Sequence, residues 1–483
     1  MCRERNKPNV PQLDPSTVAP TGSGLRSVSD RLAGVAMAVV WAGTLVHALS
    51  GAVAVVPVTI AALAVYMIIQ ASRLPRLAWV HLSVGAAVAV LALVRLEDAW
   101  PVLSAGLMRA AFLASLFTAL GALREAARTS EMVLRTGRML VQQPPGRRYV
   151  AITTGSTLFG TILNFGAVSL LGGMVQDVNT LQSARGEERT RAIREQRMLL
   201  AALRGFSVLM FWCPLTVAYA MVGATVTGAE WPVMMLYGSI ATVAVLAIGW
   251  GIDRVTMPRP KGTVAHDPFE WRRLLPLLGL IALVFGLSIL VEETTQAQLI
   301  HGVILVVPLL ALVWLVVDTG PLTGARRMGA YVGETVPTQR AEVAVLGNAA
   351  FLGAVVAALL PQTALQSLMT DGMLPAALLP AIVPWIVVAA GQLGANPLIT
   401  ATVLAAVVGD PGRFGVDPNM LGLGLVMGWG LTVASSPAAA CTMMIGRMTG
   451  RSAAAVGRSW NGFHTFVALV FCSVFLTGLQ WLL

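Results

Sequence analysis

Apolar runs of spanning length recur at 32–49, 51–70, 77–94, 101–122, 199–222, 231–252, 274–291, 299–317, 342–360, 374–391, 420–446 and 460–482. Each is close to the ~20 residues that a helix needs to cross a bilayer. Two more runs, 149–175 and 392–409, are ambiguous as spans. This pattern predicts an all-α polytopic membrane protein of about 12 transmembrane helices in two pseudo-repeats, with one or two re-entrant hairpins and proline-broken helices. The expected layout is a tail at 1–31, a first membrane half at 32–252, a linker at 253–273 and a second half at 274–483.

The run Leu425 to Met448, LVMGWGLTVASSPAAACTMMIGRM, is apolar yet carries Ser435-Ser436-Pro437 at its centre. A proline there removes one N–H and clashes with the preceding turn, so carbonyls near 433–436 lose helical partners beside two hydroxyls. Non-helical backbone at bilayer depth is tolerated where it is buried in protein or lines a wet cavity, and broken helices mark transporter binding sites. An ordinary proline kink is the alternative. A counterpart lies 223 residues earlier: Gly205, Phe206, Pro214 and Gly223 fall on Gly428, Trp429, Pro437 and Gly446. A shift of 192 sets Pro145, Arg148, Gly155 and Phe159 on Pro337, Arg340, Gly347 and Phe351. Each half then reads as a Gly-polar hairpin, 149–175 or 342–360, followed by a broken helix, 199–222 or 420–446. A further broken helix is expected at 374–409, where Gly394-Ala395-Asn396-Pro397 favours a turn at Asn396 and a break at Pro397.

Charge supplies orientation. Arg residues collect at 73–76, 123–148, 253–273, 318–341 and 447–459, which places these loops and the N-terminus in the cytoplasm. Glu230, Glu292, Glu293 and Asp371 mark outer loops. Arg185, Arg189, Arg191, Arg194 and Arg197 also put 176–197 inside, so 149–175 has both ends on one side and reads as a hairpin turning near Thr161 to Asn164. The alternative is a plain helix with an outer loop, since Asp177, Glu187, Glu188 and Glu195 nearly neutralise those arginines.

Composition agrees with the membrane class: 56% hydrophobic, 12% charged, mean hydropathy +0.75. The net charge of +10 is dispersed among loops, where orientation in the bilayer explains it better than nucleic acid does; the expected location is a bacterial-type inner membrane. The polar N-terminal tail lacks the apolar core of a signal peptide. Cys2, Cys213, Cys441 and Cys472 suit neither a disulfide framework nor a metal site. No nucleotide-binding, hydrolase or metalloprotease motif stands in a persuasive context, so no catalytic residue and no cofactor is expected.

Few acids lie in the spans, so coupling to Na+ or H+ falls largely to uncharged groups. Candidate ligands are Ser156, Thr157 and Asn164 in the first half and Asn348, Ser435, Ser436 and Thr442 in the second. Each has a simpler reading as a hydroxyl or amide bonded to a neighbouring turn or helix. Arg109 and Arg204 lie within their helices and attract an anionic solute, although Arg204 is near enough to an end to snorkel.

The segments 149–222 and 342–446 resemble the ion transporter superfamily, which includes divalent anion/sodium symporters, citrate carriers and arsenite-pump channel subunits. The resemblance implies hairpin tips and unwound stretches that bind substrate and sodium. It further implies elevator-type movement against a scaffold that often dimerises, making membrane lipid and a second copy the expected partners. The sharp Ser-Asn-Thr signature is absent: Gly155-Ser156-Thr157, Gly347-Asn348-Ala349 and Ser435-Ser436-Pro437 stand in its place. The functional expectation is a secondary transporter of a small anionic solute. A non-transporting subunit of an export complex and a flippase for lipid-linked substrates are the alternatives.

Overall fold

A computed structural model describes residues 24–258, 270–295, 297–359, 375 and 378–482. Most of the expected tail, much of the 253–273 linker and Asp371 lie outside the described residues. Residues 24–31 belong to a helix rather than to a tail. No strand occurs among the described residues, and eleven helical segments are long and apolar enough to cross a membrane. The difference from about 12 is the run 374–391, whose described part is a helix of only 14 residues.

The first spans are α1 (Gly24–Ser50), α2 (Val56–Gln70), α3 (Arg76–Arg95) and α4 (Trp100–Arg128), followed by a short amphipathic α5 (Glu131–Val141). Helices α6 (Pro145–Leu163) and α7 (Gly166–Val178) form a hairpin. One interrupted span follows, α8 (Glu188–Ser207), α9 (Leu209–Trp212) and α10 (Val217–Thr225), then α11 (Trp231–Thr256). The second half begins with α12 (Leu275–Thr295), α13 (Leu299–Thr319), α14 (Pro321–Ala330) and α15 (Arg340–Leu359). A second hairpin, α16 (Leu379–Gln392) and α17 (Pro397–Val408), precedes the interrupted pair α18 (Pro418–Ser435) and α19 (Ala440–Thr449) and the final α20 (Gly462–Leu482).

This order corrects the expected repeat. The stretch 342–359 is one continuous helix within α15, and the counterpart of α6–α7 is α16–α17, inside the region expected as a broken helix. Coincident Gly and Phe letters had paired a hairpin arm with a straight span. The true pairing shows in contacts: α6 packs along α8, as α16 packs along α18, while α7 touches α19, as α17 touches α10. Around this core, α4 and α15 pack extensively on each other, with α1, α2, α3, α12 and α13 outside them.

Burial separates the two layers. In its most apolar 18-residue stretch the interrupted span 188–225 is 94% buried and 418–449 is 78% buried, whereas the corresponding stretches of the spans holding α3 and α12 are only 17% buried, as lipid-facing helices should be. The hairpins enter from opposite faces. Hydrogen bonds tie the basic loops together: Arg340 to the Arg73 carbonyl, Arg327 to Thr129, Thr136 to the Arg273 carbonyl, Arg197 to Asp253, and Gln176 to the Met448 carbonyl. A second set ties the remaining loops, with Asn419 accepting from the Glu230 N–H, Glu292 from Trp231, and Gln480 from the Asp417 N–H. The first hairpin begins and ends among the basic loops. The second ends at the loop preceding Asp417, and five spans separate the two.

Proline position decides its effect. Pro145, Pro397 and Pro418 lie in the first turn of their helices, where a missing N–H costs nothing, and Asn396 and Asp417 cap the last two. Pro308 and Pro384 remain inside continuous helices. At Pro214 and Pro437 the helix opens, and side-chain donors take the freed carbonyls there.

Candidate functional site

At the first break, Cys213 to Thr216, the Tyr219 hydroxyl donates to the Phe211 carbonyl at 2.7 Å and Thr216 donates to the Cys213 carbonyl at 2.9 Å. At the second, Asn461 donates to the Ala434 carbonyl at 3.0 Å and Thr442 to the Ser436 carbonyl at 2.6 Å. Gly238 lies against the Phe211 carbonyl and Gly457 against the Ser435 carbonyl, so closely that a Cβ at either position would clash. In both repeats, therefore, a glycine beyond the broken helix, on α11 in the first and in the π-helical turn Ala455–Trp460 leading into α20 in the second, is pressed onto the backbone just before the break.

Most predicted hydroxyl ligands prove to be fasteners between a hairpin and its broken helix. Ser156 donates to the Ala202 carbonyl at 2.7 Å and Thr157 to the Gly205 carbonyl at 2.6 Å, joining α6 to α8. Thr432 donates to the Val387 carbonyl at 3.2 Å and Ser436 to the Gly391 carbonyl at 2.6 Å, joining α18 to α16. The interface is the same in both repeats, but the donors sit on the hairpin in one and on the broken helix in the other. Gly155 packs against Leu140 on α5. Ser435 donates to its own turn, at the Leu431 carbonyl, while accepting from Gln392 at 3.2 Å.

The hairpin tips differ. Asn164 takes a positive φ of 51°, a conformation that asparagine tolerates better than most residues, and its half-buried amide makes no hydrogen bond to any described residue. Asn396 instead spends its side-chain oxygen on the Leu398 N–H as a helix cap. Beside it Leu393, Gly394 and Ala395 are exposed, as are Ala438 and Ala440 just past Pro437. Break and tip are linked by Gln392, which donates to Ser435 and is itself held by Arg458, whose Nε donates to Gln392 Oε1 at 3.0 Å and whose Nη2 donates to the Gln392 carbonyl at 2.8 Å. Arg458 is exposed and has no carboxylate partner among the described residues. Its Arg neighbours place it with the inside loops in the sequence. The missed signal is that it stands only two residues before Trp460-Asn461, at the head of a long apolar run.

Two expected residues fall elsewhere. Gly347 packs on Ala110, and Asn348 donates to the His81 carbonyl at 2.7 Å, so both join α15 to α4 and α3, away from the breaks. Arg204 is buried within the protein rather than snorkelling to a surface. It is 3% exposed and donates to Asn461 Oδ1 at 2.8 Å, to the Gly249 carbonyl at 3.2 Å and to the Tyr149 hydroxyl at 3.3 Å. Asn461 thereby bridges Arg204 of the first repeat to the second break. Arg109, half-buried on α4, has no hydrogen-bond or ion-pair partner among the described residues. No group of three or more His, Cys, Asp or Glu residues suited to a metal occurs among the described residues.

Among solved structures, the chain is similar to the YdaH transporter of Alcanivorax borkumensis, a crystal structure described as having an unusual topology. The TM-score is 0.50 at 15% identity, covering 76% of this chain and 84% of that one. This likeness shows a common fold. No family model matches the chain, and no curated protein matches it at a significant level.

Proposed function

We propose that the chain is a secondary transporter in which two oppositely entered hairpins and two broken helices enclose the path of a small anionic solute. The observation that carries this reading is the inverted pairing itself: each hairpin is fastened to its own broken helix, and its second arm touches the broken helix of the other repeat. Interrupted helices at corresponding places in two halves are how repeat-built transporters form a binding site. The likeness in fold to a transporter agrees with it. The basic face lies in the cytoplasm by the positive-inside rule, which makes the first hairpin re-entrant from the inside and the second from the outside.

Arg458 at the second tip and Arg109 on the surrounding layer are the cations available to an anion. The Asn164 amide and the backbone of the two open stretches supply uncharged oxygens for a coupling Na+, with H+ as the rival ion. Because hydroxyl bonds fasten each hairpin to its broken helix, the two move as one body against α1–α4 and α12–α15, which is the elevator form of alternating access.

The test is counterflow in proteoliposomes with labelled dicarboxylates, sulfonates and inorganic oxyanions, with and without a sodium gradient. Saturable exchange of one anion class is the expected result. Exchange of none by a folded preparation would leave the chain a non-transporting membrane subunit.

A further inference from the structure

A second polar feature lies at the base of the first hairpin, on the basic face. A cavity of about 240 Å³ is lined by Arg148 and Tyr149 of α6, Arg194 and Arg197 of α8, and Asp253 and Arg254 of α11. It holds four guanidinium groups against one carboxylate. That carboxylate is committed: Asp253 accepts from Arg197 at 3.0 and 2.6 Å in a forked ion pair. Arg194 donates to the Ser183 carbonyl and has no carboxylate partner among the described residues. Arg148 is only 9% exposed. Its Nε donates to the Gln143 carbonyl at 2.7 Å and its Nη1 lies 3.9 Å from the Met198 sulfur, while the buried Nη2 has no hydrogen-bond partner among the described residues. The first turn of α6, Pro145 and Gly146, borders the same cavity and adds the partial positive charge of a helix N-terminus.

A buried guanidinium with an idle N–H is costly unless a ligand completes it. Fixed forks of this kind fit oxyanions, with two oxygens meeting two N–H groups. The volume is below the roughly 300–1,000 Å³ of drug-sized pockets, which favours a compact group. We propose that this cavity binds a phosphate-type oxyanion, either free phosphate or the headgroup of an anionic phospholipid, and that its occupant clamps the hairpin base to α8 and α11. Basic pockets between helices at the cytoplasmic surface are known lipid-headgroup sites in general, and the rim position suits that source as well as the free ion.

The full chain in nanodiscs of phosphatidylcholine alone is titrated with inorganic phosphate at constant ionic strength, with chloride as control, and thermal unfolding is followed. In a second arm, nanodiscs containing phosphatidylglycerol are analysed by native mass spectrometry for retained lipid. The expected result is stabilisation by phosphate beyond chloride, retention of phosphatidylglycerol, or both, with apparent affinity about tenfold weaker in Arg194→Gln, the loss expected for one charge-assisted hydrogen bond. Arg148→Gln should lose more. Arg194 is half-exposed, so its variant decides the matter even where Arg148→Gln fails to fold. Phosphate acting no better than chloride together with no retained phosphatidylglycerol, or Arg194→Gln behaving as wild type in both arms, would overturn the proposal. Because both readouts are of binding, the outcome is independent of whether the protein transports.

Discussion

Replacing Asn461 tests the join between the repeats. In Asn461→Ala two hydrogen bonds vanish, one to the Ala434 carbonyl at 3.0 Å and one from Arg204 at 2.8 Å. The second involves a charge and is worth about 1.5–3 kcal/mol. The orphaned Ala434 carbonyl has no helical donor to fall back on, because the Ala438 N–H is bound to Ser436 Oγ. That adds about 1 kcal/mol or more. Membrane proteins temper such sums, since chains unfolded in the bilayer find other partners and measured interhelical bonds average about 0.6 kcal/mol. The net expectation is a loss of about 2–4 kcal/mol, read as the shift in the denaturation midpoint on titration with dodecyl sulfate under tryptophan fluorescence. Asn461→Asp keeps an acceptor for Arg204 and supplies the counter-charge it lacks, at the loss of the donor to Ala434. It should therefore lie within about 1 kcal/mol of wild type. Asn461→Ala indistinguishable from wild type, or Asn461→Asp less stable than Asn461→Ala, would refute the account of Arg204 as a buried cation held by neutral oxygens.

Other expectations concern packing, topology and the solute path. Ser156→Ala with Thr157→Ala should weaken the α6–α8 join by about 0.6–1.7 kcal/mol per bond, measured by the same titration. Gly238→Ala should cost about 1–3 kcal/mol by overpacking against the Phe211 carbonyl, and Gly457→Ala a similar amount against that of Ser435; stability equal to wild type in both would remove the tight covering of the breaks. In a background lacking accessible cysteine, Ser183→Cys and Arg413→Cys should label with impermeant maleimide from opposite sides of the membrane; labelling from one side would end the inverted arrangement. Where counterflow identifies a solute, Arg458→Gln should raise KM about tenfold with the fold intact, as expected for one lost charge-assisted contact.

What was legible depended on whether a residue acts locally. The breaks at Pro214 and Pro437 could be read because proline's effect is written in its own ring. Their persistence, unlike Pro308 and Pro384, depends on Tyr219 and Asn461, which no local pattern reveals. The first hairpin was visible through charges on both flanks. The second was misplaced because Gly347 and Phe351 imitate Gly155 and Phe159, while its real tip at 393–396 falls in the stretch expected as a further broken helix. Ser156, Thr157 and Ser436 were rightly singled out as unusual, but a buried hydroxyl that fastens helices and one that waits for an ion look alike until its acceptor is known. Arg458 was hidden by company, one arginine among several in a basic loop.

The exchange of donor and acceptor across the two hairpin interfaces has a consequence for how such a chain diverges. Each half has a seam of this kind while inverting which helix of it carries the hydroxyls, Ser156 and Thr157 on the hairpin in one and Thr432 and Ser436 on the broken helix in the other. Carbonyls are present at every position, so a seam built on them lets a serine migrate across without loss of fit. Common descent of the halves would then survive as a shared shape after nearly all letters have drifted, and a residue-by-residue overlay would align the wrong helices with confidence.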